Sequence, residues 1–364
     1  MDHAATTPIC DAAKNAIIKH LDDFGNPSSV HELGRQARVL IEDARERIAK
    51  CINAEPDEIY FTSGGSESNT WALYDKHVIM SNAEHHSVSA TKVISVPIEQ
   101  IGIIDPNAID ITLRNLYPSV FMRPIVVSCI TVNNEIGTKN NIGAVAKVAH
   151  KHGTPFHTDA VQAVGHIPID VKHLDCDMLS ASGHKFAAPK GIGFLFIKNG
   201  QHIYQMINGG GQEKGMRPGT ENVLGIISMA AALEDAVEHM EERNEYIKCL
   251  RDKLLDRLLQ IPGSHLNGSL EDRVASNINI RFDGVSGSRL VTLCSLYGIY
   301  ISSGSACNEG EPTPSHVLKA IGLSDEEALS SIRITLGHEN TEAEIDTAAD
   351  IITKLVERIR SGNS

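Results

Sequence analysis

The sequence contains no long apolar run. No stretch approaches the roughly 20 apolar residues that a membrane-crossing helix requires, so no segment reads as transmembrane. It also lacks the positive balance of a nucleic-acid binder: 33 Lys and Arg face 46 Asp and Glu, for a formal net charge of -13. Proteins that hold a phosphate backbone gain affinity from clustered basic side chains that release counterions, so nucleic acid is not an expected partner. The 7 cysteines, at positions 10, 51, 129, 176, 249, 294 and 307, form no CxxC pair, and an odd number cannot all pair within one chain. Free thiols in a reducing cytosol are expected. Among 17 histidines the only tight pair, His85 and His86, has no accompanying Cys or carboxylate pattern beyond Glu84, which argues against zinc. The first residues, "MDHAATTP", have neither the basic segment nor the apolar core of a secretory signal, so a cytoplasmic protein is expected. There is no internal repeat and no low-complexity tract.

What is present is the composition of a globular protein, 41% hydrophobic and 22% charged over 364 residues. That length predicts a large domain and a smaller one. Apolar spacing predicts helices over 9–24 and 31–52, with Leu33, Ala37, Leu40, Ala44 and Ile48 as one stripe of the second. Short apolar runs follow at 58–62, 77–81, 92–98, 125–132, 154–160, 177–182 and 193–197, separated in places by helical segments such as Ile142 to Lys151, which Gly153 stops. Strands apolar on both faces that alternate with helices predict an α/β fold with a mainly parallel, seven-stranded sheet covered on both sides. A long helix from about Glu221 to Leu259 is expected to bridge to a smaller α+β unit built from "SNINIRF", "IYISS", "SIRITL" and the helical runs Ser288 to Tyr297 and Glu342 to Ile359. The expected division is 9–245 for the large domain, with 1–8 and 246–364 forming the small one.

In an open parallel sheet, ligands bind beyond the carboxyl ends of the strands. After "EIYFT" comes "SGGSESN", small residues entering a helix, which suits a phosphate and suits a plain strand-to-helix turn equally well. After the run ending in "ITV" come two side-chain amides in "NNEIG", and after "TPFHT" come Asp159 and Gln162. A single Asp in such a place is by default a helix N-cap. Lys185, emerging from the next run, gives it a better use: a lysine able to form a Schiff base with pyridoxal phosphate needs an acidic partner for the pyridinium nitrogen. A phosphate cup, an Asp and a Lys together make one cofactor site.

At this point the sequence resembles the cysteine desulfurases of the class V, fold type I aminotransferase group. The motifs that carry the resemblance run in order along nearly the whole chain: "DHAATTP", "NPSSVHELG", "FTSGGSESN", "AEHHSV", "VNNEIG", "HTDAVQ", "SGHKFAAPKGIG", "GGGQEKGMRPGTENV", "SSGSAC" and "SIRITLG". Each is weak alone; in this order they are highly specific. The resemblance implies pyridoxal 5'-phosphate anchored covalently on Lys185, which would later shuttle protons. Asp159 would pair with the pyridine nitrogen, Gln162 with the ring hydroxyl, and His85 would stack on the ring and assist proton transfer. Gly65, Ser66, Ser182 and His184 would bind the phosphate. Thr220 is similar to the threonine that reaches that phosphate from a neighbouring subunit, which implies a homodimer. Asn134 and Arg333 would hold the substrate carboxylate.

Cys307 stands apart from the other cysteines. Cys129 and Cys294 lie inside apolar runs and read as small buried residues, while Cys10, Cys51, Cys176 and Cys249 have no catalytic context. Cys307 sits in "SSGSACNEGEPTPSH", where Gly304, Gly310, Pro312 and Pro314 predict an exposed, mobile segment. The implied reaction converts L-cysteine to L-alanine, with Cys307 taking the sulfur as a persulfide and passing it to an acceptor. An iron–sulfur scaffold or tRNA thiolation would be served; selenocysteine lyase or a related lyase on the same cofactor is the alternative. Three departures stand out: His3 where the family has asparagine, "GGS" at 64–66 where it has "GAT", and a shortened stretch between Asn69 and Glu84.

Overall fold

The computed structural model describes residues 1–88, 93–116, 124–303, 305–308 and 311–362, with the backbone alone for 305–308 and 311–312. Two helices open the chain, α1 (Asp11–Lys19) and α2 (Glu32–Cys51). The buried face of α2 runs through Ala37, Ile41, Ala44 and Ile48, whereas Leu33, in the first turn, stays 43% exposed. The stripe read from the sequence is therefore rotated slightly about its axis.

The large sheet contains β1 (Ile59–Thr62), β2 (His77–Ser81), β3 (Val93–Val96), β4 (Ile125–Ile130), β5 (Phe156–Asp159), β6 (Met178–Ser182) and β7 (Gly193–Ile197). Its spatial order is β1-β7-β6-β5-β4-β2-β3. The five strands from β6 across to β3 pair in parallel, and β7 lies antiparallel to both β1 and β6. All residues of β5, β6 and β7 are buried, as continuous apolar runs covered by helices on both faces require. The covering helices include α3 (Gly65–Ala72), α4 (Pro106–Asn115), α5 (Ile142–Lys151), the short α6 (Val171–Leu174) and α7 (Val223–Glu238). Helix α5 shows how local sequence sets the ends: Asn141 caps its start by accepting from the Ala144 N–H, and Gly153, at φ +65°, takes the left-handed conformation just past its end.

The single helix expected over Glu221 to Leu259 is two helices. Helix α7 stops at Glu238 and α8 (Met240–Leu259) begins after a break at His239. There the Asp235 carbonyl accepts from the His239 side chain at 2.9 Å and from Arg243 at 3.3 Å, so side chains compete for an oxygen of the last helical turn.

Beyond α8 lie β8 (Ser264–Leu266), β9 (Asn277–Phe282), α9 (Gly287–Leu296) and β10 (Ser302–Ser303), then a hairpin of β11 (Ser305–Asn308) and β12 (Glu311–Pro314). Helices α10 (His316–Ala320) and α11 (Asp325–Leu329), strand β13 (Ser331–Thr335) and helix α12 (Glu342–Arg360) complete the chain. Strands β10, β13, β9 and β8 form a four-stranded sheet. Two large apolar cores result. One gathers residues from Ala13 to Ala236 with Val274; the other runs from Ile247 to Ile359, and Met1 packs against it. No helix among the described residues is long and apolar enough to cross a membrane.

Candidate active site

Because the parallel strands share one direction, Thr62, Ser81, Ile130, Asp159 and Ser182 all end at the same edge of the sheet. The loops that follow converge there on a cavity of about 300 Å³. Gly65, Ser66, His85, Asn134, Asp159, Gln162, Ser182, His184, Lys185 and Arg333 all line it. Thr220 does not; it is exposed and lines none of that cavity within one chain. The Cys307 side chain lies outside the described residues. Its backbone belongs to the β11–β12 hairpin, paired with Pro312, where the sequence reads as an irregular loop.

At the floor of the cavity, Asp159 is fully enclosed. Its Oδ1 accepts from the Val161 N–H at 3.0 Å and its Oδ2 from Asn69 Nδ2 at 2.6 Å. Burial pushes this carboxyl above its usual range, against the pull of the Val161 N–H, His85, Asn69 and Lys185. The second Asn69 N–H goes to Ser87 Oγ at 2.8 Å, and Ser87 in turn contacts His85 Nδ1 at 2.7 Å. His85 Nδ1 also accepts from the Ser87 backbone N–H at 3.1 Å, so the neutral ring carries its proton on Nε2. Burial lowers the His85 pKa, which favours that neutral form. One chain of hydrogen bonds thus joins the acid to the imidazole. Asn69 and Ser87 were missed in the sequence; both lie within quoted motifs, and the only available signal was a polar residue on the buried face of a short helix.

Lys185 stands three residues past the end of β6. Its Nζ donates to the carbonyls of Ala4 at 2.6 Å and Ala5 at 2.9 Å, and Gln162 Nε2 also donates to Ala4 at 2.9 Å. Burial, followed by the nearby Arg333 charge, lowers the amine to about 8, with Asp2 and Asp159 opposing. His184 is lowered to about 4 by burial and then by Lys185 and Lys190. Ala4 and Ala5 form a wall of the cavity.

Arg333 brings a second cation to the cavity, beside Lys185. Arg333 Nη1 donates to the Asn134 carbonyl at 2.9 Å, and Nη2 donates to Asp2 Oδ1 at 3.0 Å and Ser302 Oγ at 3.2 Å. Arg333 Nε and Asn134 Oδ1 are buried without a hydrogen-bond partner. Such orphaned groups suit a polar ligand, since leaving them unpaired is costly.

Helix α3 begins beside Ser182. Gly64 occupies its N-cap position at φ +149°, and no side chain caps the helix. A Cβ on Gly65 would lie 2.5 Å from Val161 Cγ2, so the cradle is closed to larger residues there. A helix start with uncapped N–H groups, hydroxyls at Ser66 and Ser182 and an imidazole at His184 is a set of donors suited to an anion.

This arrangement, a doubly covered sheet with a lysine, a buried acid and a helix start around one cavity, is that of the class V aminotransferases; the family matches residues 1–347, and the chain belongs to it. Within that family it belongs to the cysteine desulfurases, and it is an enzyme of that group. It is 40% identical to the cysteine desulfurase IscS of Methanosarcina thermophila, over 99% of this chain and 92% of the relative. A NifS-like protein from Rickettsia africae superposes with a TM-score of 0.91 at 33% identity, covering 98% of each chain. The structure of SspA in complex with cysteine superposes with a TM-score of 0.79 at 32% identity, covering 93% of this chain and 99% of the other.

Proposed function

We propose that this cavity holds pyridoxal 5'-phosphate and converts L-cysteine to L-alanine, with the sulfur passing to Cys307. One observation carries the reading: Asp159 is buried with only neutral hydrogen-bond donors on it, 2.6 Å from Asn69 and 3.0 Å from the Val161 N–H, in the cavity that also holds Lys185. A buried carboxylate without a bonded cation is costly, and a protonated ring nitrogen is the partner that relieves it. The residues present therefore fit the cofactor. Lys185 would hold it covalently, Asp159 would face its nitrogen, Gln162 its hydroxyl and His85 its face. Gly65, Ser66, Ser182 and His184 would take the phosphate, joined by Thr220 of a second copy. When bound, the cofactor supplies an electron sink next to the substrate α-carbon.

The remaining work falls to the chain's own groups. Arg333 would orient the substrate carboxylate through its Nε–H, which has no partner in the free protein, and Asn134 through its side-chain N–H group. Lys185 Nζ, lowered to about 8, is near enough to neutrality at physiological pH to take the α-proton and later return a proton to carbon. The Cys307 thiolate attacks the substrate sulfur: a sulfur–sulfur bond forms as the carbon–sulfur bond breaks. The products are alanine and a Cys307 persulfide, so atoms and electrons balance without an external oxidant.

The same reading includes a homodimer, supported by exposed apolar side chains at Ile18, Leu21, Phe24, Val30 and Val39 on the opening segment and by the exposure of Thr220. It also includes the division into 9–245 and 1–8 with 246–364, supported by the two large apolar cores. An iron–sulfur scaffold as sulfur acceptor is supported by the IscS relatives. A cytoplasmic, reducing setting is supported by the six described cysteines, all free thiols. The test is alanine production from L-cysteine. Lys185→Ala and Cys307→Ala should each reduce it by about 100-fold or more, in line with loss of a general base or a nucleophile. Turnover retained in either variant would overturn that residue's role.

A further inference from the structure

The hairpin that carries Cys307 is tied down at both roots, and the leading tie runs through Arg333. At the leading root, Ser302 pairs with Arg333 in the sheet register. Ser302 Oγ donates to Asp2 Oδ1 at 2.8 Å, and Arg333 Nη2 donates to that same Asp2 oxygen at 3.0 Å and to Ser302 Oγ at 3.2 Å. Three side chains from three distant parts of the sequence thus close one triangle. At the trailing root, Ser315 Oγ donates to Glu135 Oε2 at 2.5 Å and caps α10 by accepting from the Val317 and Leu318 N–H groups. His316 Nε2 donates to the Glu84 carbonyl at 2.9 Å, and its ring lies 4.5 Å from that of His86. Glu135 follows Asn134, whose carbonyl accepts from Arg333 Nη1 at 2.9 Å.

The two roots differ in kind. The trailing one is fastened by groups that are not part of the substrate clamp: a buried carboxylate, a backbone carbonyl and a helix start. The leading one is fastened through Arg333, which also lines the cavity and has a buried, unpartnered Nε. Guanidinium groups bind carboxylates as a planar fork. A second carboxylate arriving at this fork must share it with Asp2, and two like charges on one guanidinium repel. The contact that weakens is the Nη2 corner of the triangle, because Nη2 alone serves both Asp2 and Ser302.

We propose that Ser302 is a positioning residue that couples occupancy of Arg333 to the freedom of the Cys307 hairpin: a carboxylate on Arg333 loosens the Asp2–Ser302 corner, and the hairpin turns on its Ser315 root. This rests on the reading of Arg333 as the substrate's carboxylate receiver. The coupling works only if the ligand interacts differently with the tied and untied states, which competition with Asp2 for Nη2 supplies.

The experiment uses the cofactor-loaded full-length protein and L-alanine, which has the carboxylate but no thiol. Alanine binding is followed by the cofactor's absorbance, and the hairpin by hydrogen–deuterium exchange of peptides covering 299–308. Saturating alanine should speed exchange of that segment at least threefold in the wild type. In Ser302→Ala, alanine should bind about threefold more tightly, since binding no longer works against the tie, and exchange should already be fast without ligand and gain nothing from it. Asp2→Asn gives an independent check with the same expected pattern. The proposal is overturned if wild-type exchange is unchanged while absorbance reports bound alanine, or if Ser302→Ala keeps the slow baseline and the full response. If Arg333→Gln binds alanine as tightly as the wild type, the carboxylate reading itself fails and the coupling falls with it.

Discussion

Asn69 Nδ2 lies 2.6 Å from Asp159 Oδ2, and its other N–H reaches Ser87 at 2.8 Å, so one amide fixes the acid and, through Ser87, the imidazole of His85. A hydrogen bond to a charged acceptor contributes about 1.5–3 kcal/mol. Asn69→Ala should therefore release the cofactor roughly 10-fold faster, as read from the decay of its visible absorbance after dilution. Asn69→Asp should be worse, because it sets a second carboxylate beside the first.

The segment bearing Thr220 is held by buried charge. Arg45 grips Glu213 through two hydrogen bonds of 2.7 and 2.9 Å, both side chains lie almost wholly inside the protein, and Glu213 also accepts from the Phe61 N–H at 2.9 Å. Glu213→Gln leaves the guanidinium with only the half-exposed Glu42, 2.9 Å from its Nε, as counter-charge, and breaking a buried pair costs about 3–5 kcal/mol. A fall in the denaturation midpoint is expected, with a smaller loss in the isosteric Gln variant than in Glu213→Ala.

Glu84 offers a test of sign. Enclosure raises its carboxyl to about 8 despite bonds from the Ile130 N–H and Ser81 Oγ, and its Oε2 has no partner. A folded-state pKa above the unfolded value favours folding at low pH, and that contribution is lost as pH rises towards about 8. Glu84→Gln should remove the loss. Its melting temperature relative to wild type should climb between roughly pH 5 and pH 8 and level off above. A difference independent of pH would mean that the carboxyl stays ionised in the folded protein.

Lys185 makes a second pH prediction. Only the neutral amine can capture the cofactor's aldehyde, and this amine is lowered to about 8 by burial and by Arg333. The rate at which apoprotein takes up pyridoxal phosphate should rise through about pH 8 rather than near the ordinary lysine value. Arg333→Gln removes one lowering charge and should move that midpoint upward.

Much of the fold was legible because each strand of the large sheet is a compact apolar run. "HVIMS" became β2 at its exact bounds, and "GFLFI" became β7 likewise. Helix α5 also matched its expected ends, set by Asn141 and Gly153. The reversed direction of β7 was not read, since an apolar run does not encode its own polarity. A signal existed: only residues 183–192 separate β6 from β7, short of the dozen or so that a parallel crossover needs. The break at His239 escaped for a different reason, because no glycine or proline marks it and the competing bonds come from side chains. At the site, titratable residues stood out by their chemistry, while Asn69, Ser87 and Asp2 did not. An amide, a hydroxyl or a surface-like acid acquires meaning only from what lies opposite it.

The reversed strand also fixes how far the Lys185 amine can stray. Ser182 and Gly193 sit directly across from each other, so the intervening loop is cinched at its neck, and Lys185 is three residues from that knot. In the proposed reaction, once a substrate displaced it, the side chain would recoil by no more than its own length and remain at an effective concentration far above any free amine in solution. A loop leading into a long crossover would let the base wander between turnovers; this one keeps it in waiting.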